Sequence, residues 1–279
     1  MKRRMKRIAT RGARGPVEPT CEAPRVTSTA TNRTLSRLGL LSDARAFDRA
    51  RAQAPVAPPG TRDQLGELRA AVQLPRLLAA SPRLLGSPRG DGRIVIDIPG
   101  WKAPESSGAP IRAFLRLLGH DARGWGIGTN RGDARRDALK LADRVVELAE
   151  SSGRQVALVG WSLGGVIARE VARNHPASVS RVVTYGSPVV GGPAYTVAAA
   201  SYGAEQTERI TAESERLDSD DPIRVPITAI FTRRDGVVDW RACIDWRSSD
   251  VEHVEVGSTH IGLGIDPDVW QIAAARLAA

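Results

Sequence analysis

Gln155-Val156-Ala157-Leu158-Val159-Gly160-Trp161-Ser162-Leu163-Gly164-Gly165-Val166-Ile167-Ala168-Arg169 is a short apolar run, a Gly-x-Ser-x-Gly turn and a helix-forming stretch in direct succession. Read in that order, it is a buried strand that turns sharply into a helix with Ser162 at the apex. Glycine at 160 and 164 has a mechanical reason, because the close approach of strand and helix leaves no room for Cβ atoms. The helix then starts near Leu163 and points its free N–H groups and positive dipole end at the space above the serine. This is the local architecture of a nucleophile elbow. The same five letters also occur by chance in a chain with 27 glycines, and a serine before a helix is an ordinary N-cap. The remainder of the chain therefore has to supply a base, an orienting acid and a second oxyanion donor.

Outward from the elbow, strands and helices alternate. Arg93–Ile98 is predicted as a strand, Pro110–Leu118 as a helix, Asp121–Trp125 as a short strand and Asp133–Glu150 as an amphipathic helix. After the elbow helix, which Pro176 stops, come strands at Val179–Thr184, Ile227–Phe231 and Val251–Val256 and a last helix at Pro267–Leu277. Such alternation with short connections predicts an α/β fold with a mostly parallel sheet covered by helices on both faces. One interval breaks the rhythm: residues 191–221 carry polar helical stretches and no strand signal. It is either a decorated surface loop or a cap over a ligand site, and the cap is the expectation, since long interruptions of compact domains tend to be functional.

The N-terminal part differs in kind. Residues 1–34 hold nine Lys and Arg against Glu18 and Glu22, so +7 of the net charge of +9 lies there and +2 on the remaining chain. This part is rich in Arg, Thr and Pro without periodicity and reads as a disordered, solvated tail. A helix is predicted over Leu35–Arg51, then a Pro-rich linker, so residues 1–58 are assigned to tail and linker and 59–279 to the folded domain. From Thr61 to Leu85 apolar residues recur at helical spacing, broken by Pro75 and Pro82. Two readings stand for this segment: helices packed on the domain, the expectation because two prolines limit helix length, or a basic amphipathic stretch on a lipid surface.

Charge confined to a tail argues against a nucleic-acid partner, which would need basic residues on the fold itself. Two cysteines, Cys21 and Cys243, build neither a disulfide framework nor a cysteine-rich metal site, and no cofactor or metal is expected. No apolar run approaches a membrane span. Arg3-Arg4 is followed by no apolar h-region, so secretion is not expected. The expected location is cytoplasmic, with weak contact to a membrane surface through the basic N-terminal region.

A serine needs a base to take its proton. Of four histidines, His120 and His175 stand at helix ends and His253 lies within a strand. His260 follows the last strand at the carboxyl edge, where ligands bind in open α/β sheets, and is the expected base. The acid should leave the preceding strand at that edge, where Asp235 and Asp239 both stand; Asp235 is preferred because Ser162, Asp235, His260 is the chain order of this architecture. Asp235-Gly236 is equally a good hairpin turn. The oxyanion donors are expected to be the N–H groups of Trp101, after the first strong strand, and Leu163. Trp125, Trp161 and Trp240 lie in or beside loops at the same edge and are candidates for an apolar substrate pocket, although tryptophans in loops also pack simply against the sheet.

Taken together, Ile96–Trp101, the elbow at 160–164, Tyr185-Gly186-Ser187-Pro188, Asp235-Gly-Val-Val and Ser258-Thr-His-x-Gly-Leu resemble an α/β-hydrolase of the lipase/esterase type. The nearest subgroup is the GPI inositol-deacylase-like and triacylglycerol-lipase-like bacterial esterases. The resemblance spans about residues 74–277 and implies a Ser-Asp-His triad that hydrolyses small-molecule or lipid carboxylic esters. Where many lipases have His after Gly-Ser-Pro, this chain has Val189-Val190, and no ligand role is carried to them. Acyl transfer by the same triad and a non-catalytic binding protein are the alternatives.

Overall fold

The computed structural model describes residues 57–279; the tail and the helix expected over Leu35–Arg51 lie outside the described residues. Six strands form one sheet in the order β2-β1-β3-β4-β5-β6: β1 (Ile94–Ile98), β2 (Asp121–Gly124), β3 (Val156–Trp161), β4 (Val179–Tyr185), β5 (Ile227–Phe231) and β6 (Val251–Glu255). Every pairing is parallel, with Ile96 opposite Leu158 and Val159 opposite Val183 in the central ladders. A parallel sheet needs cover on both faces, and the strands read accordingly: all five residues of β1 and of β5 are buried.

Alternation within the strands sorts the core into two layers. Val95, Ala157, Val159, Val183 and Ile230 face one way, under α4 (Ala109–Leu117) and α9 (Pro267–Leu277). Ile94, Ile96, Ile98, Leu158 and Val182 face the other, under α5 (Ala134–Ser152) and α6 (Leu163–Asn174). The helices begin and end where the residues require. Asp133 caps α5 by accepting from the Arg136 N–H at 3.1 Å, and Gly153 closes it in the left-handed region at φ 65°. Asp266 caps α9 by accepting from the N–H groups of Asp268 and Val269, with Pro267 in the first turn.

Ahead of the sheet, the segment expected to be helical forms α1 (Thr61–Gly66), a 3-10 turn (Glu67–Val72), α2 (Gln73–Ala79) and α3 (Ser81–Leu85). Pro75 and Pro82 each sit in the first turn of a short helix, where a missing N–H costs nothing, so the prolines divide the segment without disrupting it. One side of the segment packs on the domain through Leu77, Ala80 and Leu84. Arg76 and Arg83 latch it to the start of α9, with Arg76 reaching Asp266 at 3.1 Å and both arginines reaching Asp268. The other side leaves Leu65, Leu68, Val72, Leu74 and Leu78 exposed.

Between β4 and β5 the chain forms a 3-10 turn (Gly192–Tyr195), α7 (Ala199–Tyr202) and α8 (Ala204–Asp220). This insertion touches two of the loops at the carboxyl edge. Tyr202 stacks on Trp101 with ring centroids 6.0 Å apart, and Thr196 and Val197 pair with the backbone after β5. Its far end is tied to α6 by a buried ionic cluster: Arg169 reaches Asp245 at 2.5 Å and Asp218 at 3.4 Å, and Arg173 also holds Asp218. Burial pushes the Asp245 carboxyl up, but the Arg169 charge and N–H donors from Arg247 and Ser248 outweigh it and hold the group well below the usual carboxylate range. Among the described residues no helix is long and apolar enough to cross a membrane.

Candidate active site

Ser162 stands between β3 and α6 with φ 53° and ψ −122°. Only one other non-glycine residue among those described, Lys102, has a positive φ, and it follows Trp101 in the loop after β1. Backbone this unfavourable persists only where its surroundings over-determine it, and the glycines show how. A Cβ on Gly160 would lie 2.5 Å from the Gly164 carbonyl and Gly165 backbone, one on Gly164 would lie 2.3 Å from the Ile98 carbonyl, and one on Gly165 would lie 2.0 Å from Ser187 Oγ. Strand, helix and β1 loop are thus closer here than any side chain permits. The Ser162 N–H is fixed by the Tyr185 carbonyl at 2.9 Å.

The β1 loop runs directly beside the serine: a Cβ on Gly100 would meet the Trp161 ring at 3.1 Å and Ser162 Cβ at 3.4 Å. Fully buried Asn130, from the loop after β2, braces it. Its Nδ2 donates to the Pro99 carbonyl at 2.9 Å, its carbonyl accepts the Lys102 N–H at 2.7 Å, and its N–H donates to the Ala103 carbonyl. The neighbours of Trp101 N–H are therefore held in place around it. The Leu163 N–H lies in the first turn of α6, where no intrahelical acceptor exists.

The candidate acid and base meet at the same edge. His260 Nδ1 lies 2.8 Å from Asp235 Oδ2, both side chains being nearly inaccessible. Asp235 Oδ1 accepts from the N–H groups of Val237 at 2.9 Å and Val238 at 2.7 Å, which aims the second oxygen at the imidazole. With the carboxylate as acceptor, Nδ1 carries the proton and Nε2 presents a lone pair. Asp239, the other candidate acid, is spent elsewhere: it caps the following 3-10 turn and pairs with Arg241 at 3.1 Å. Gly236 is not in the left-handed region; its lack of a Cβ is explained by the Asp63 carbonyl, 2.4 Å from where a Cβ would be, and not by a hairpin turn.

The tryptophans divide. Trp161 lies against the site, its ring 5.7 Å from that of His260 and its Nε1 donating to the His260 carbonyl at 3.2 Å. Trp240 stacks on Phe231 and lies beneath the guanidinium groups of Arg233 and Arg241, in a small cluster with Val238 and Cys243. Trp125 corrects the expectation of a pocket residue. It has no exposed surface, packs into the core layer beneath α5 and α6, and donates its Nε1 to the Gly128 carbonyl at 2.8 Å, so it can line no pocket. Burial of its large ring between sheet and helix outweighs any placement in a loop.

The other histidines are occupied differently. His253 Nε2 accepts the Asp245 N–H at 3.0 Å, and burial, opposed by Asp245, pushes its pKa down to about 4. His120 is buried against Gly90. Two residues absent from the sequence reading belong to the site's framework. Asn130 gave no signal beyond a turn-forming letter before Gly132. Glu67 lies in the helical stretch from Thr61 to Leu85 and no motif marks it, yet it is buried and accepts from the N–H groups of Gly236, His260 and Ile261. The insertion carries an open cleft of about 330 Å³ lined by alanines and threonines of α7 and α8, including Ala199, Ala204 and Thr207. None of its lining residues is Ser162, Asp235 or His260.

A family profile described as alpha/beta hydrolase fold matches residues 115–202, the stretch with Ser162 near its middle. Among solved structures, lipase B of Aspergillus fumigatus matches with 18% identity over 67% of this chain and 52% of that one, at a TM-score of 0.50. This chain thus spans about half the length of that lipase. Mouse alpha/beta hydrolase domain-containing protein 10 matches with 19% identity, 62% and 83% coverage and a TM-score of 0.45. The monoacylglycerol lipase of Paleococcus ferrophilus matches with 16%, 62% and 88%, and 0.46. Because the profile falls on the very stretch that turns from β3 into α6, and the six strands around it are parallel throughout, this chain is a protein of the α/β-hydrolase fold.

Proposed function

We propose that the protein is a serine hydrolase that cleaves carboxylic esters through an acyl-enzyme. Ser162 Oγ attacks the acyl carbonyl while His260 Nε2 accepts its proton, and Asp235 holds the ring in the required tautomer and stabilises the imidazolium. The N–H groups of Trp101 and Leu163 receive the negative charge that develops on the carbonyl oxygen. His260 then protonates the leaving alcohol, and in the second half it removes a proton from water, whose oxygen attacks the acyl carbon and releases the acid. The observation that carries this reading is the backbone of Ser162 at φ 53°, a strained conformation enforced from three sides at the edge where the Asp235–His260 pair also lies.

A lipid ester presented at an interface is the substrate class favoured. Leu65, Leu68, Val72, Leu74 and Leu78 form an exposed apolar row, and Ile261, next to the base, is exposed as well. Apolar surface on this scale, interspersed with the exposed Arg62 and Arg69, suits an anionic lipid surface. The hydrolase reading is tested with p-nitrophenyl esters of short and long chain and a fluorophosphonate probe. Wild type is expected to turn over the esters and to be labelled, and Ser162→Ala to do neither; equal rates in both proteins would refute the assignment. Sedimentation with anionic vesicles tests the lipid reading, and Leu68→Asp is expected to weaken it.

A further inference from the structure

We propose that Glu67 is a positioning residue that locks the acid loop and the base loop to one another. Its carboxylate is buried, and its two oxygens accept three backbone N–H groups: Gly236 at 2.7 Å and His260 at 2.9 Å on Oε1, and Ile261 at 2.8 Å on Oε2. Gly236 follows Asp235 and Ile261 follows His260. One side chain, some 170 residues upstream of the first donor, thus bridges both loops within one residue of each proposed triad member. Among the described residues no Lys or Arg pairs with Glu67, so the three amide donors are what satisfy it.

The surrounding packing supports a fixed position. A Cβ on Gly236 would lie 2.4 Å from the Asp63 carbonyl, and one on Gly262 would lie 3.1 Å from Gln73 Cγ, so α1 and α2 press on both loops on either side of the carboxylate. Hydrogen bonds to a charged acceptor in a site of low dielectric are strong and directional. Two further hydrogen bonds join the loops, Asp235 to His260 and Thr232 Oγ1 to the Ser258 carbonyl at 2.8 Å. Glu67 therefore fixes the separation across which Asp235 reaches the imidazole, and with it the direction of Nε2.

The inference rests on the serine-hydrolase reading, and its test separates the two. Steady-state kinetics, melting temperature and amide hydrogen exchange are measured on the full chain for Glu67→Ala, Glu67→Gln and Val145→Ala, the last a core variant of α5 remote from the site. Glu67→Ala is expected to lower kcat about 100-fold with little change in KM, the size of loss a displacement of about 1 Å produces. The amides of Gly236, His260 and Ile261 are expected to exchange faster. Val145→Ala is expected to lower the melting temperature and leave kcat at the wild-type value. Glu67→Gln cannot satisfy all three donors with one oxygen, and is expected to fall between alanine and wild type in rate and in exchange. A folded Glu67→Ala protein with wild-type kcat and exchange would overturn the proposal, as would a Val145→Ala protein that loses as much rate. Where Glu67→Ala does not fold, wild-type rate and exchange in Glu67→Gln overturn it. Absence of Ser162-dependent turnover in wild type would instead sink the hydrolase reading, and the exchange data alone would still decide whether Glu67 holds the loops.

Discussion

Gly164→Ala sets two effects of known size against each other. Gly164 is in the first turn of α6, where replacing glycine by alanine normally stabilises a helix by about 1 kcal/mol. Here the new methyl would stand 2.3 Å from the Ile98 carbonyl oxygen and 2.7 Å from that of Pro99. Those atoms are backbone, and Ile98 is the last residue of β1, paired with Gly160 of β3, so they cannot swing aside as a flexible side chain would. The β1 loop and the helix start must part by about 1 Å, an overpacking that costs about 1–3 kcal/mol and outweighs the propensity gain. Catalysis is expected to suffer more than stability. Trp101 follows Pro99 by two residues and Leu163 precedes Gly164, so the distance that changes is the one between the two proposed oxyanion donors. A misplacement of about 1 Å costs about 100-fold, close to the loss from removing one oxyanion donor. The assay is kcat on a p-nitrophenyl ester beside a thermal melt, with Gly257→Ala as control, since a Cβ there meets no atom within 4 Å and the backbone has no positive φ. A folded Gly164→Ala protein with wild-type kcat would refute the oxyanion geometry, even if Ser162→Ala were inactive.

Arg169→Met leaves Asp245 buried with its main cation gone, and is expected to cost about 3–5 kcal/mol in a urea melt, much of it recovered by adding Asp245→Asn. If the single variant melts like wild type, the ionic cluster does not anchor the insertion. His253, with a pKa lowered from 6.5 to about 4, stays neutral in the fold while the unfolded chain takes up the proton first. Its contribution is therefore fully present above about pH 6.5 and is lost as the pH falls to about 4, a change of about 3 kcal/mol. Asp97, raised by burial to about 6 despite its Arg112 partner, acts in the opposite sense over an overlapping range, so the wild-type curve alone conceals the effect. Urea melts from pH 7 to 4 are expected to show His253→Gln gaining on wild type by about that amount; a constant difference refutes the assignment.

By itself the sequence determined the order of strands and helices and the elbow with its glycines, and it made His260 the expected base. These are local matters: apolar β-branched runs, helical periodicity, proline and glycine at helix ends, and a motif whose letters answer to a strained turn. Between Asp235 and Asp239 the sequence supports only a preference, because three loop residues separate them and nothing local tells which carboxylate turns inward; in the tertiary structure Asp239 pairs with Arg241 and Asp235 with the His260 imidazole. The same limit explains Trp125, which a loop position placed near the site and the packing of sheet on helix placed in the core. Glu67 and Asn130 were illegible for the converse reason. What each holds in place lies in backbone groups brought near only by folding, and a backbone N–H or carbonyl carries no letter in the sequence. The elbow could be read because its strain is built from neighbours in the chain; the framework around Asp235 and His260 is built from contacts between distant ones.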